Sequence, residues 1–81
     1  MDNYDVPVGI RQQIINAKIE VLKNSVYDAG LDAKVAKVLG DERGVQAATE
    51  RVRLLLQAIE MLEAEIAELG AAPAESGAEG L

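Results

Sequence analysis

Between Ile15 and Ala36 the apolar side chains recur at alternating steps of four and three residues: Ile15, Ile19, Leu22, Val26, Ala29, Ala33 and Ala36. Seven residues span nearly two turns of an α-helix, so this spacing gathers them on one stripe, the seam of a coiled coil. Traced backwards the stripe meets Gln12, its one polar position, and then Val8. The pattern restarts at Val45 and continues through Ala48, Val52, Leu55, Ile59, Leu62 and Ile66 to Leu69 without losing phase. Two amphipathic helices are predicted, over 7–39 and 42–69, with a turn at 40–41.

The breakers agree with these bounds. Pro7 suits a first helical turn, and Asp5 is close enough to cap it. Leu39-Gly40-Asp41-Glu42 supplies a breaker, a capping residue and an acidic first turn. Gly70 stands where a C-terminal glycine belongs, with Pro73 beyond it. Residues 1–6 read as a polar lead-in. Residues 70–81, small and rich in breakers, read as a disordered tail. Gly30 admits two readings: a break between two shorter helices, with Asp32 capping the second, or a residue inside one continuous helix at ~1 kcal/mol relative to alanine. The seam keeps its phase through Gly30, which favours one helix.

Folding back at Gly40-Asp41 pairs residues whose numbers sum to 81, and on that register the two seams match layer by layer. Ala36 meets Val45, Ala33 meets Ala48 and Leu22 meets Ile59, with Gln12 against Leu69 the one mixed layer. Beside the seam, Lys18 is set opposite Glu65, Asp32 opposite Arg51 and Lys37 opposite Glu42. Such exposed pairs contribute at most ~1 kcal/mol each, so they are expected to select register. The fold class predicted is all-α: a long antiparallel two-helix hairpin, coiled-coil-like. A rival is a parallel two-stranded coiled coil, suggested by Val45, Val52, Ile59 and Ile66 at one seam position and mainly Leu at the other. Leu56 and Ala58, where such a dimer would carry matched charges, rank it second.

The hairpin leaves a second apolar set uncovered. Ile10, Ile14, Ala17 and Val21 lie on nearly the opposite side of the first helix, followed by Leu31, Val35 and Val38 after an interruption at Asn24 and Asp28. Leu54, Leu56 and Met61 add to it on the second helix. A helix that is apolar on two faces is buried on two faces. The expectation is an oligomeric helical bundle, or docking on a larger protein, with Ile10, Ile14, Val21, Leu31, Val35, Val38, Leu54, Leu56 and Met61 as the candidate contact surface.

Composition narrows the chemistry. In 81 residues there is no Cys, His, Phe or Trp, and the only aromatics are Tyr4 and Tyr27. Disulfides and Cys/His zinc sites are excluded, and the commonest general base is missing. Fourteen acidic against eight basic residues give a net charge of −6, which disfavours phosphate backbones and anionic membranes. Glu60, Glu63, Glu65 and Glu68 read as a solvated face rather than a carboxylate metal site. Arg51, Arg53, Lys34 and Lys37 are interleaved with acids and read as ordinary surface. No glycine-rich phosphate loop is present. No catalytic residue, cofactor, metal, nucleic-acid, membrane or small-molecule partner is expected, and the absence of a signal-peptide pattern or membrane span points to the cytoplasm.

The leading function class is therefore a non-enzymatic structural or interaction protein that self-assembles or docks as a small accessory subunit. The alternative is a regulatory helix-in-groove binder, such as an antitoxin, anti-repressor or small chaperone. In size and in its Val8-to-Leu69 hairpin, the chain loosely resembles the small helical-hairpin proteins of tailed phages and the Rop-type four-helix dimers of plasmids. The first resemblance implies a place in a phage assembly, with the virion as a location. The second implies a four-helix dimer, while Rop-like RNA binding conflicts with the acidic charge.

Overall fold

In a computed structural model, residues 6–80 are described, with side chains described for 6–70. Two helices account for almost all of this, α1 (Val8–Val38) and α2 (Glu42–Gly80), and they pack on each other as an all-α hairpin. Among the described residues there is no strand. The molecule is a rod of 62 × 21 × 18 Å. Its length is close to that of α2 alone, 39 residues at ~1.5 Å of rise each.

α1 runs unbroken through Gly30, which settles the two readings of that residue in favour of one helix. An added Cβ at Gly30 would meet nothing within 4 Å. The glycine is tolerated there because the packing on both sides holds the helix, and no local contact requires it. Pro7 stands just before the first helical residue, and its carbonyl accepts from the Arg11 amide at 2.9 Å. Asp5, the expected cap, lies outside the described residues. At the other end of the hairpin α2 stays helical past Gly70, and Gly70 does not adopt positive φ. The reading of 70–81 as a tail falls on residues whose side chains, beyond Gly70, lie outside the described set.

The reversal is built by two interlocking caps. Gly40 has φ +73°, a left-handed conformation that costs glycine nothing. This turns the chain so that the Gly40 amide donates to the Lys37 carbonyl at 3.1 Å and the Asp41 amide to the Ala36 carbonyl at 2.8 Å. These are the two bonds of a Schellman motif, and they satisfy carbonyls that the end of α1 would otherwise leave without partners. Asp41 then caps α2: its Oδ1 accepts from the Gly44 amide at 2.9 Å. Glu42 in the first turn of α2 and Lys37 in the last turn of α1 complement the two helix dipoles.

The core is a single seam. Ile19, Ala29 and Ala36 of α1 and Ala48 and Ile59 of α2 are buried. Ile15, Leu22, Val26, Ala33, Val45, Val52, Leu55, Leu62, Ile66 and Leu69 are half-buried beside them, as is Gln12. Residues brought together across the seam lie within about one helical turn of the expected partners. Ile19 shares a depression with Glu63 and Ile66, Leu22 with Leu62, and Asp32 with Ala48 and Arg51. Near the turn the helices come close: a Cβ on Gly44 would lie 3.0 Å from the Ala36 Cβ.

The expected interhelical ion pairs do not form. Among the described residues, Lys18–Glu65, Asp32–Arg51 and Lys37–Glu42 all stay beyond ion-pair distance, and the pair that closes is Glu50–Arg53 within α2. The physical reason is cost. Bridging two helices fixes two long side chains in water for a small Coulomb gain, whereas Glu50 and Arg53 are neighbours on one helix face.

Candidate interaction surface

What α1 turns outward is as apolar as what it turns inward. Opposite the seam, the side chains of Ile10, Ile14, Val21, Leu31, Val35 and Val38 are all exposed, from 40% for Leu31 to 85% for Val38. They fall on one stripe because they keep the same four-and-three spacing as the seam, displaced by about half a turn of the helix wheel. Leu54, Leu56 and Met61 of α2 are exposed too, at about half of their surface. Leu54 and Met61 lie seven residues apart on one flank of α2, while Leu56 lies beside the seam on the other flank.

The stripe is flanked by shallow hollows. One of about 370 Å³ lies between the helices, lined by Ala17, Lys18, Val21, Leu22 and Leu62. Another, of about 240 Å³, is formed by Lys34, Val35, Val38 and Leu39 at the turn end. Both are open to solvent and lined largely by carbon. Sequence reasoning missed Leu39, 74% exposed, as a contributor to this patch. The signal was available: Leu39 follows Val38 directly and ends α1 in helical conformation, φ −82° and ψ −4°, at a position that is not part of the seam. Tyr27, 71% exposed, likewise stands at the edge of the stripe.

Nothing in the electrostatics competes with a contact role. Glu50 and Arg53 are joined by a side-chain hydrogen bond, Arg53 Nε donating to Glu50 Oε1 at 3.1 Å, with a second from the other guanidinium arm. That bond holds the Glu50 carboxyl below its ordinary range, the Arg53 charge adding to it, and holds Arg53 above its own. Both groups are fully exposed, so solvent screens the effect. Among the described residues no polar or charged residue is buried, and no group of three or more acidic side chains is placed to hold a metal ion. No helix among them is long and apolar enough to cross a membrane.

Comparison with known proteins finds no family model, no curated protein and no solved structure that matches this chain.

Proposed function

We propose that this chain is a non-enzymatic structural or interaction protein, a hairpin that covers its outer α1 stripe with further helices, either by self-assembly or as a small accessory subunit on a larger assembly. The observation that carries the reading is the exposure of Ile10, Ile14, Val21, Leu31, Val35 and Val38 on one face of one helix. Full burial of such a side chain is worth roughly 1.5–3 kcal/mol. Even at half that value, six of them amount to several kcal/mol, comparable with the ~5–15 kcal/mol that holds a small domain together. A protein whose stability is that finely balanced gains a large fraction of it by covering the stripe.

The surface area is that of a rod of 62 × 21 × 18 Å rather than of a compact sphere. A compact monomer of 8.6 kDa exposes about 4,700 Å². This chain exposes 6037 Å², an excess of about 1,300 Å². A location in the cytoplasm, or in a virion for a phage-encoded chain, and the lack of a nucleic-acid, membrane or small-molecule partner belong to the proposal, and the net charge of −6 supports the latter.

The test is molar mass by light scattering together with helical circular dichroism over a dilution series. A defined oligomer, or a monomer that is poorly helical until a partner is supplied, supports the reading. A fully helical monomer whose melting is independent of concentration overturns it.

A further inference from the structure

Resting on that reading, we propose that the occupant of the α1 stripe is a second copy of this chain, its α1 lying antiparallel on the first about a two-fold axis at the level of Val26. The stripe is itself a seam. From Ile10 to Val38 its positions advance by four and three in strict alternation, and Asn24 and Asp28 occupy two of them without breaking the phase. A second helix can therefore pack along it from Ile14 to Val38 as α2 packs along the inner seam.

Register decides between the ways of doing so. An antiparallel pairing in which residue numbers sum to 52 sets Ile14 against Val38 of the second copy, Ala17 against Val35 and Val21 against Leu31, all apolar on both sides. The two polar positions then meet each other: Asn24 faces Asp28, and the axis repeats the pair. The Asn24 amide is a donor and the Asp28 carboxylate an acceptor, so each polar group entering the interface has its complement. A shift by one heptad in either direction sets Asn24 and Asp28 against Val, Leu or Ala. A parallel pairing sets Asp28 against Asp28, like charges in one layer. A polar pair satisfied in one register only is the device by which coiled coils fix alignment.

The flanking charges choose the same register. Glu20 falls opposite Lys34 of the second copy and Lys18 opposite Asp32, so that the axis generates four complementary pairs, and Tyr27 meets its own copy across the axis. Within the hairpin and among the described residues, none of Lys18, Glu20, Asp32 and Lys34 is engaged in an ion pair.

Because the sequence lacks cysteine, a single thiol can report on the alignment. Tyr27→Cys and Gln13→Cys, each in the full chain and each checked for unchanged helicity, are treated with a short bis-maleimide at a concentration where light scattering reads the mass. The expected result is a mass of two chains, efficient cross-linking through position 27, and none through position 13, whose two copies lie about 40 Å apart along the antiparallel pair. Val21→Asp, at a side chain 62% exposed in the hairpin, should keep its helicity and raise the dissociation constant at least ~100-fold. Gln57→Asp, exposed on α2 and off the stripe, should leave the mass at two chains. Cross-linking at 13 as readily as at 27, at neither, or a mass other than two chains overturns the paired α1 helices while leaving assembly as the broader function. A monomer that is poorly helical alone overturns the second copy and leaves the accessory-subunit reading. A stable helical monomer at every dilution overturns both.

Discussion

Gly30 and Gly44 are both helical glycines, and replacing each by alanine should have opposite consequences. At Gly30 an added Cβ meets nothing within 4 Å, so Gly30→Ala gains the full difference in helix propensity, about 0.8–1 kcal/mol. For a chain of this size that corresponds to a rise of roughly 4–8 °C in Tm. At Gly44 the same Cβ lies 2.5 Å from Asp41 Oδ2, 2.9 Å from Asp41 Cγ and 3.0 Å from the Ala36 Cβ. The carboxylate that caps α2 must move, which forfeits about 1 kcal/mol of capping. The Ala36 contact must also open, because 3.0 Å is tighter than two side-chain carbons ordinarily pack. Propensity at best offsets the cap, and the separation of the helices then tips Gly44→Ala to net destabilisation. The two variants should differ by about 1–2 kcal/mol. Urea or thermal melts followed by circular dichroism, at one fixed chain concentration, measure this directly. If Gly44→Ala stabilises as much as Gly30→Ala, the close approach at the turn is wrong and with it the account of why α1 and α2 meet as they do.

Gly40→Ala forces a side chain into φ +73° and should cost about 1 kcal/mol with the helices intact, read as a lower urea midpoint at unchanged slope. Ile59→Asp, placing a charge in the buried layer, should remove the helical signal altogether, in contrast to Val21→Asp, which keeps it. Equal loss of helicity in both would mean that the two faces of α1 do not have separate roles.

The hairpin was legible in the sequence because its causes are local or periodic. A four-and-three repeat in two segments, with a glycine and an aspartate between them, leaves few ways to bury both stripes, and matching the seams about that turn sets the register. The side chains of the inner seam, from Ile15 to Ala36 and from Val45 to Ile66, are the ones the structure keeps from water. The ion pairs were less legible. Complementary charges at the right positions say that a bridge is geometrically open to two helices, not that it outweighs the entropy of two long side chains in water. Lys18 and Asp32 show this: each has an opposite charge across the seam, and neither closes on it. The alanine-rich layers near the turn made a close approach of the helices there legible, but not that Gly44 would bear it. That depends on how near α2 starts to Ala36, a distance that alanine spacing suggests without specifying.

The outer face of α1 was visible as a second repeat, but its meaning depends on how bulk is divided between the two faces. Toward the turn the inner seam dwindles to Ala29, Ala33 and Ala36, while the outer one carries Leu31, Val35 and Val38, exposed at 40%, 56% and 85%. At this end of the molecule more apolar surface is turned away from α2 than toward it. Small inner residues let the helices approach closely and bury little, so α2 contributes less to holding α1 there than at the Ile/Leu end. On the proposed pairing, covering Leu31, Val35 and Val38 buries more apolar surface at the turn end than the alanine layers of the hairpin do. The hairpin alone keeps α1 helical through that half, so on the proposed pairing a second copy adds stability there without being needed for the helix to form. The caps at Gly40 and Asp41 hold the reversal in place by backbone hydrogen bonds, which do not need that apolar surface to be buried first.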